Sequence, residues 1–258
     1  MRIVLLAVDD EFAGEMQKVL YENHPEWIVG SVISGCKVYK HSDLQAAWMV
    51  FRKSGLIFLA NMTYIKLLKY ILRKRKLAIP SDLAKAHGVE QYLSLDINNP
   101  EGVAKLRSWN PDLIISTNFS HYIGKTVRES IAQYGCWNVH KSLLPQYRGM
   151  APSFHALLEG ADKVGATLHL VAKGFDTGDV LAQVQVPVTA ADTVYDLNRK
   201  TSTAGGRMMA SFLEKYESQR TKPAPQPSGD WKNYTYPTRA EVSAFRQKGL
   251  RFYRAEND

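Results

Sequence analysis

Arg2-Ile3-Val4-Leu5-Leu6-Ala7-Val8 opens the chain as a continuous apolar run, and the fold is decided by the two elements that come after it. Residues 12–23 set Phe12, Met16, Val19 and Leu20 on one face of a helix, and residues 27–33 return to an extended, β-prone pattern. A strand, a helix and a second strand in immediate succession predict parallel α/β architecture. No Gly-x-Gly-x-x-Gly follows the first strand, so dinucleotide binding at that turn has no support. Farther along, residues 82–85 and 103–108 read as helices, and residues 91–95, 112–116, 164–171 and 179–188 as strands. Thr193-x-x-Asp196 is a capping signature for a long helix reaching about Lys215, and Thr238-x-x-Glu241 is another, with Val242 and Phe245 on one face and Gly249 as its stop. Between them, residues 222–229 (Lys-Pro-Ala-Pro-Gln-Pro-Ser-Gly) read as a stiff polar linker that no regular element crosses.

Composition narrows the class. At 258 residues and 45% hydrophobic content the chain can bury a full core, and one main domain with an appendage fits better than two equal ones. Cys36 and Cys136 lie far apart, which argues against a disulfide framework. The apolar run before Asp9 and Asp10 is too short for a signal-peptide core, and together these features predict a cytoplasmic protein. A formal charge of +8 favours anionic partners. Much of it sits at Lys66, Lys69 and Arg73-Lys74-Arg75-Lys76, with no RNA-binding motif, Walker loop or zinc-ligand pattern beside it, so nucleic acid and metal are both disfavoured. Residues 56–72, mostly apolar and running into the basic cluster, are too short and charged to span a bilayer. The expectation is a helix packed on the core with a basic outer face, and no membrane partner. The sharper alternative is an amphipathic helix that touches anionic membranes.

One run reads as a site: Cys136-Trp137-Asn138-Val139-His140-Lys141-Ser142-Leu143-Leu144-Pro145, then Tyr147-Arg148-Gly149, then Gly174-Phe175-Asp176-Thr177-Gly178-Asp179. In a strand, Asn138 and His140 point to one face while Val139 packs behind them. The amide can donate to an oxygen that becomes negative, a neutral imidazole can take a proton, and Asp176 can orient that imidazole and stabilise its charged form. Each has a bland reading too: a structural histidine, an asparagine bonding its own backbone, an aspartate in a turn. Neither Ser142 nor Cys136 lies in a nucleophile motif, so the nucleophile is expected to arrive with a substrate.

The same residues resemble the folate-dependent formyltransferase family, whose hallmarks are Asn-x-His, Ser-Leu-Leu-Pro, Tyr-Arg-Gly, a Gly-Val-Thr-like strand and a Leu-Asp-Thr-Gly-Asp-like loop. Here they stand as Asn138-Val139-His140, Ser142-Leu143-Leu144-Pro145, Tyr147-Arg148-Gly149, Gly165-Ala166-Thr167 and Phe175-Asp176-Thr177-Gly178-Asp179. The resemblance is strong over residues 111–188, fair over the first strand and helix, and weak over residues 40–110. It implies a doubly wound, Rossmann-like, mainly parallel sheet with a small C-terminal appendage. The implied layout is a catalytic domain over residues 1–190, a C-terminal helix over 191–221, and the linker with its aromatic tail over 222–258.

It further implies catalytic Asn138, His140 and Asp176, no metal, and a 10-formyltetrahydrofolate donor held against Ser142, Leu143, Leu144, Pro145 and the Asp176 loop. In that scheme Asn138 and protonated His140 stabilise the oxyanion. The loop containing Asn118, Ser120, His121 and Tyr122 falls near the donor, with His121 a second-tier candidate. Residues 40–80 are inferred to be an insertion that helps form the acceptor side.

For the acceptor, the expectation is a primary amine on a small anionic molecule, a nucleotide-linked amino sugar first. Methionyl-tRNA formyltransferase is disfavoured, because residues 222–258 are too few and too Pro-rich for that enzyme's C-terminal β-barrel. A formyltetrahydrofolate hydrolase and a non-catalytic folate-binding module stand as alternatives. The aromatic tail (Trp231, Tyr234, Tyr236, Phe252, Tyr253) reads as an arm capping the core, with an acceptor wall or a homodimer contact as its competing roles.

Overall fold

The computed structural model describes residues 1–35, 41–71, 78–219 and 221–254. Cys36 and the basic run 73–76 lie outside them, as do the side chains of Lys66 and Lys69. The chain runs β1 (Ile3–Ala7), α1 (Glu11–Asn23), β2 (Ile28–Ser34), α2 (Asp43–Ile71), α3 (Pro80–Ala86), β3 (Gln91–Ser94), α4 (Pro100–Ser108), β4 (Leu113–Thr117), α5 (Lys125–Glu129) and β5 (Cys136–His140). It continues through β6 (Arg148–Gly149), α6 (Pro152–Glu159), β7 (Lys163–Leu170), β8 (Val180–Pro187), α7 (Val194–Gln219), β9 (Asn233–Tyr234) and α8 (Arg239–Gln247).

Seven strands form one sheet in the order β3-β2-β1-β4-β5-β7-β8. The first five are parallel, and β7 and β8 close the far edge antiparallel. All five residues of β1 are buried, and so are all five of β4, because helices cover both faces. On one face Met16 and Leu20 of α1 and Met209 and Leu213 of α7 pack on Leu5, Ile115 and Val139. On the other, Leu106, Trp109 and Val127 pack on Val4, Leu6 and Ile114. The chain builds outward from β1 to β3, then crosses back to β4 on the other side of β1. That reversal is a topological switch point, and such sheets bind ligands outside the carboxyl ends of the strands there.

Two expectations need correction. The inward stripe of α1 is Ala13, Met16, Gln17, Leu20 and Tyr21, rotated from the expected one. The reason is polar: the buried Gln17 amide donates to Thr117 Oγ1 at 2.8 Å, while Phe12 stays half exposed against the Tyr195 ring. The second concerns the 222–229 linker, which is a strap. Ala224 exchanges both backbone hydrogen bonds with Val180 on the edge strand β8, at 2.7 and 2.8 Å.

Beyond the strap, β9 pairs with β6, and the tail makes a third core. Val242, Phe245 and Phe252 enclose Phe154 of α6 together with Val50 and Phe58 of α2. α2 kinks at Gly55, whose φ of +83° favours glycine, and Ser54 Oγ next to the kink donates to the Pro237 carbonyl. Its described outer face is not simply basic: Leu44, Trp48 and Phe51 share it with Arg52 and Lys53.

Gly205 and Gly206 sit inside α7, where helix propensity disfavours glycine by about 1 kcal/mol each. Close approach explains them: a Cβ on Gly206 would lie 2.5 Å from the Met16 carbonyl oxygen of α1, and one on Gly205 would lie 3.0 Å from the Val139 side chain. Gly206→Ala should therefore lower the thermal midpoint although propensity alone favours it. A rise in that midpoint would show that α1 and α7 do not depend on this contact.

Candidate active site

β5 ends at the switch-point edge of the sheet, and its alternation puts Val139 into the core while Asn138 and His140 face a cavity of about 1540 Å³. Antiparallel pairing sets His169 of β7 directly opposite Asn138 and Thr167 opposite His140. His169 is a site residue that sequence reasoning missed. Its signal was present in Gly165-Ala166-Thr167-Leu168-His169, two positions past the threonine on the same strand face.

Asp176 completes the group from the loop after β7. Its Oδ2 lies 3.6 Å from His140 Nδ1, its Oδ1 lies 3.6 Å from His169 Nε2, and Asn138 Nδ2 reaches both His169 Nε2 (3.1 Å) and Asp176 Oδ1 (3.5 Å). Carbonyl partners assign the tautomers. His140 Nε2–H donates to Tyr147 O at 2.9 Å and His169 Nδ1–H to Leu170 O at 2.8 Å, so the remaining nitrogen of each ring faces the carboxylate. The basic nitrogen of His140 is thus Nδ1, on the Asp176 side.

Three features fix the carboxylate. Gly149 N–H donates to Oδ2 at 2.8 Å. Gln226 of the strap donates through Nε2 to the carbonyls of Asp176 (2.9 Å) and Gly178 (2.7 Å), and accepts from Arg148 at 2.6 Å. Gly178 packs so closely that an added Cβ would meet Leu170 O at 1.8 Å. Gln226 is a second residue missed, since nothing in Pro-Gln-Pro announces a partner. Of the five described non-glycine residues with φ between +46° and +55°, four (Asn118, Tyr147, Ala151, Asp176) border this site, the kind of strained backbone that collects where function constrains geometry.

Burial dominates the electrostatics of His140 and pushes its imidazole below the ordinary value, against the opposing pull of Asp176 and the Tyr147 carbonyl. Burial alone would raise the Asp176 carboxyl, yet His140, His169 and the Gly149 amide together hold it well below the usual carboxylate range. The site therefore rests as an ionised carboxylate beside a neutral His140. Burial pushes the Cys136 thiol up, far from the reactive thiolate, so Cys136 supplies no nucleophile.

The segment expected to hold the donor also has a structural role. Ser142, Leu143, Leu144 and Pro145 do not line the cavity; they clamp β5 to β7 behind it. Thr167 Oγ1 donates to Ser142 O (2.6 Å) and accepts from Leu144 N (3.0 Å), Gln183 Nε2 donates to Leu144 O (2.8 Å), and Leu143 fills the space beside Gly165. The apolar cavity wall next to the site is Phe119, Tyr122, Ile123, Val171 and Phe175. His121 also lies on it, its pKa pushed down to about 4 by burial, with Nε2 3.0 Å from Ser34 Oγ. Among the described residues, no group of three or more His, Cys, Asp or Glu is placed to hold a metal ion.

Residues 52–213 match the family model described as formyl transferase. The chain belongs to that family. It is 35% identical over 156 residues to a methionyl-tRNA formyltransferase of Geobacillus sp. (strain WCH70), which covers 60% of this chain and 49% of the relative. A Myxococcus xanthus methionyl-tRNA formyltransferase is likewise 35% identical, over 57% of this chain and 47% of its own length. The chain thus spans about half the length of the curated relatives it matches. Among solved structures, an N-formyltransferase from Helicobacter canadensis superposes with a TM-score of 0.60 at 16% identity, covering 91% of this chain and 70% of that one. Phosphoribosylglycinamide formyltransferase from Streptococcus pneumoniae gives 0.58 at 21% identity, covering 84% and 99%. At these identities the structures establish the shared formyltransferase fold.

Because Asp176 raises the His140 pKa while burial lowers it, removing the carboxylate leaves burial unopposed. In an NMR titration His140 should protonate below its ordinary midpoint of about 6.5, and lower still in Asp176→Asn. A midpoint above 7 in the native protein would contradict the buried, neutral resting state.

Proposed function

We propose that this protein is an N-formyltransferase that moves a formyl group from 10-formyltetrahydrofolate to a primary amine. Family membership supports the reaction class, and one observation carries the mechanism: a neutral imidazole, an ionised carboxylate and an amide meet at the floor of one cavity. The donor supplies the electrophilic formyl carbon. Phe119, Tyr122, Ile123, Val171 and Phe175 offer its flat ring system an apolar slot beside the triad.

The amine attacks the formyl carbon, His140 Nδ1 takes the proton the amine loses, and the carbon–N10 bond then breaks with that proton passing to N10, so that tetrahydrofolate leaves. Asp176 Oδ2, 3.6 Å away, stabilises the resulting imidazolium, and the Tyr147 carbonyl keeps the ring in the tautomer that leaves Nδ1 open. The Asn138 amide donates to the oxygen that gains charge, exchanging its resting contact with His169 for that bond. His140, once protonated, adds positive charge to the same environment.

The acceptor we infer is a small amine on a hydroxyl-bearing body, with a nucleotide-linked amino sugar as the first candidate. The wall away from the apolar slot carries Asp9, Asp10, Glu15 and Asp82, which accept hydrogen bonds from hydroxyls, and rings at Phe12, Tyr195 and Tyr236. Lys18 and Lys141 are the described lysines there, and phosphate oxygens would be met by them. A charged transfer-RNA stem fits that carboxylate-rich wall less well.

The test incubates the full chain with 10-formyltetrahydrofolate and a panel of amino sugars, their nucleotide-linked forms and methionyl-tRNA, reading formylated product by mass. Transfer to the sugar-nucleotide class is expected. His140→Ala, Asp176→Ala and Asn138→Ala should each slow it by roughly a hundredfold or more, the scale of a lost general base or oxyanion donor. As the active form has neutral His140 and burial lowers its pKa, kcat/KM should still hold at the ordinary imidazole midpoint of about 6.5 and decline only at lower pH. Folded variants with near-native turnover would refute the roles, and formate release without any amine would assign the site to hydrolysis.

A further inference from the structure

α2 buries Ala46, Val50, Ser54 and Phe58 against the protein body. On the opposite side Leu44, Trp48 and Phe51, spaced i, i+4, i+7, are 83%, 57% and 38% exposed, and past the kink Leu56 and Ile57 are 67% and 43% exposed. A helix on the surface of a water-soluble domain turns polar residues outward. Here the outward stripe is aliphatic and aromatic, and contiguous patches of that kind mark interaction sites. Cations surround it. The Arg52 guanidinium lies 4.7 Å from the Trp48 ring centre and that of Arg239 lies 5.5 Å from the Phe51 ring centre, with Lys53 beside them donating to Thr235. The sequence from residue 43 to residue 76 holds eight Lys or Arg against one carboxylate, Asp43, so nearly all of the chain's +8 resides in it.

We propose that this face of α2 docks the protein onto an anionic lipid surface. Leu44, Trp48, Leu56 and Ile57 enter the boundary between headgroups and acyl chains, and Arg52, Lys53 and Arg239 meet lipid phosphates. Long basic side chains bracketing Trp, Phe and Leu are the chemistry of helices that lie in that boundary, and polybasic segments add attraction to anionic lipids. A second copy of the chain would set Arg52, Lys53 and Arg239 against cations of the same sign. A nucleic acid would satisfy the cations and leave the aliphatic side chains in water. No described helix is long and apolar enough to cross a membrane, so the contact is peripheral. The patch is also preformed, because Ser54 donates to Pro237 O and Arg239 donates to Phe51 O, tying the turn before the kink to the C-terminal arm. Phe58 and Met62 of the same helix line the cavity, so docking would hold the acceptor wall about one helix diameter, ~10 Å, from the lipid. This inference does not depend on which amine is formylated.

The test is cosedimentation of the full chain with phosphatidylcholine vesicles, with and without phosphatidylglycerol, at low salt. Binding should require the anionic lipid and weaken as salt rises. Leu44→Ser with Trp48→Ser, or Arg52→Glu with Lys53→Glu, should weaken it by roughly tenfold or more, the scale of keeping one or two large apolar groups in water, while the thermal midpoint stays near that of the unaltered protein. In the unaltered chain, brominated lipid should quench fluorescence that is lost in Trp48→Phe, a readout independent of the double variants. The proposal is overturned by failure to bind phosphatidylglycerol vesicles or by binding that both double variants retain. A lipid-free dimer dissolved by those same substitutions would overturn it too, assigning the face to a second copy.

Discussion

A single carboxylate, shared between two imidazoles, is the constraint around which this molecule is arranged. The Asp176 side chain is only 16% exposed, and its 3.6 Å approach to His140 becomes an ion pair when the ring takes up a proton. Desolvation of a carboxylate costs several kcal/mol; the Gly149 amide donates against it, and the rings of His140 and His169 face it from two other elements, His140 adding its charge when it takes up a proton. Those elements are β5, β6 and β7, and their mutual register is what the carboxylate senses. A one-residue slip between β5 and β7 would exchange the core face for the cavity face and remove His169 from Asn138.

That register is held from behind by residues that resemble a site in sequence and act as a clamp in space. Thr167 accepts from and donates to the 142–145 turn, and Gln183 of β8 binds both partners. The strap at 222–229 then fastens the Asp176 loop from outside through Gln226. A segment that composition marks as linker is therefore part of the support for the reacting groups. Losing it would free the loop without touching any side chain in the cavity.

How much can be read from the chain alone depends on where each signal lives. The fold is legible because β1, α1 and β2 announce themselves by local periodicity, and Asn138, His140 and Asp176 because short motifs carry them. His169 is present in the same strand signal and is passed over, since its importance depends on antiparallel pairing, a non-local fact. Gln226 has no local signal at all: a glutamine between prolines acquires its role only when the strap lies on β8. The 142–145 motif carries a second signal that its sequence does not announce. Its specific sequence suggests contact with the donor, and the buried hydrogen bonds of Thr167, Leu144 and Gln183 draw on the same residues for packing.

The position of α2 joins the two halves of this chemistry. Its inner face completes the aromatic core that the C-terminal arm builds around Phe154, and its Phe58 and Met62 reach the cavity. A helix bound only by that inner face would gain nothing from Leu44 or Trp48, and such large exposed side chains invite aggregation. Their retention opposite a buried stripe, beside Arg52 and Lys53, is explained when water is not what that side meets. The kink at Gly55 has the same logic: it lets residues 43–54 and 56–62 each turn one side to the protein while keeping Leu56 and Ile57 outward.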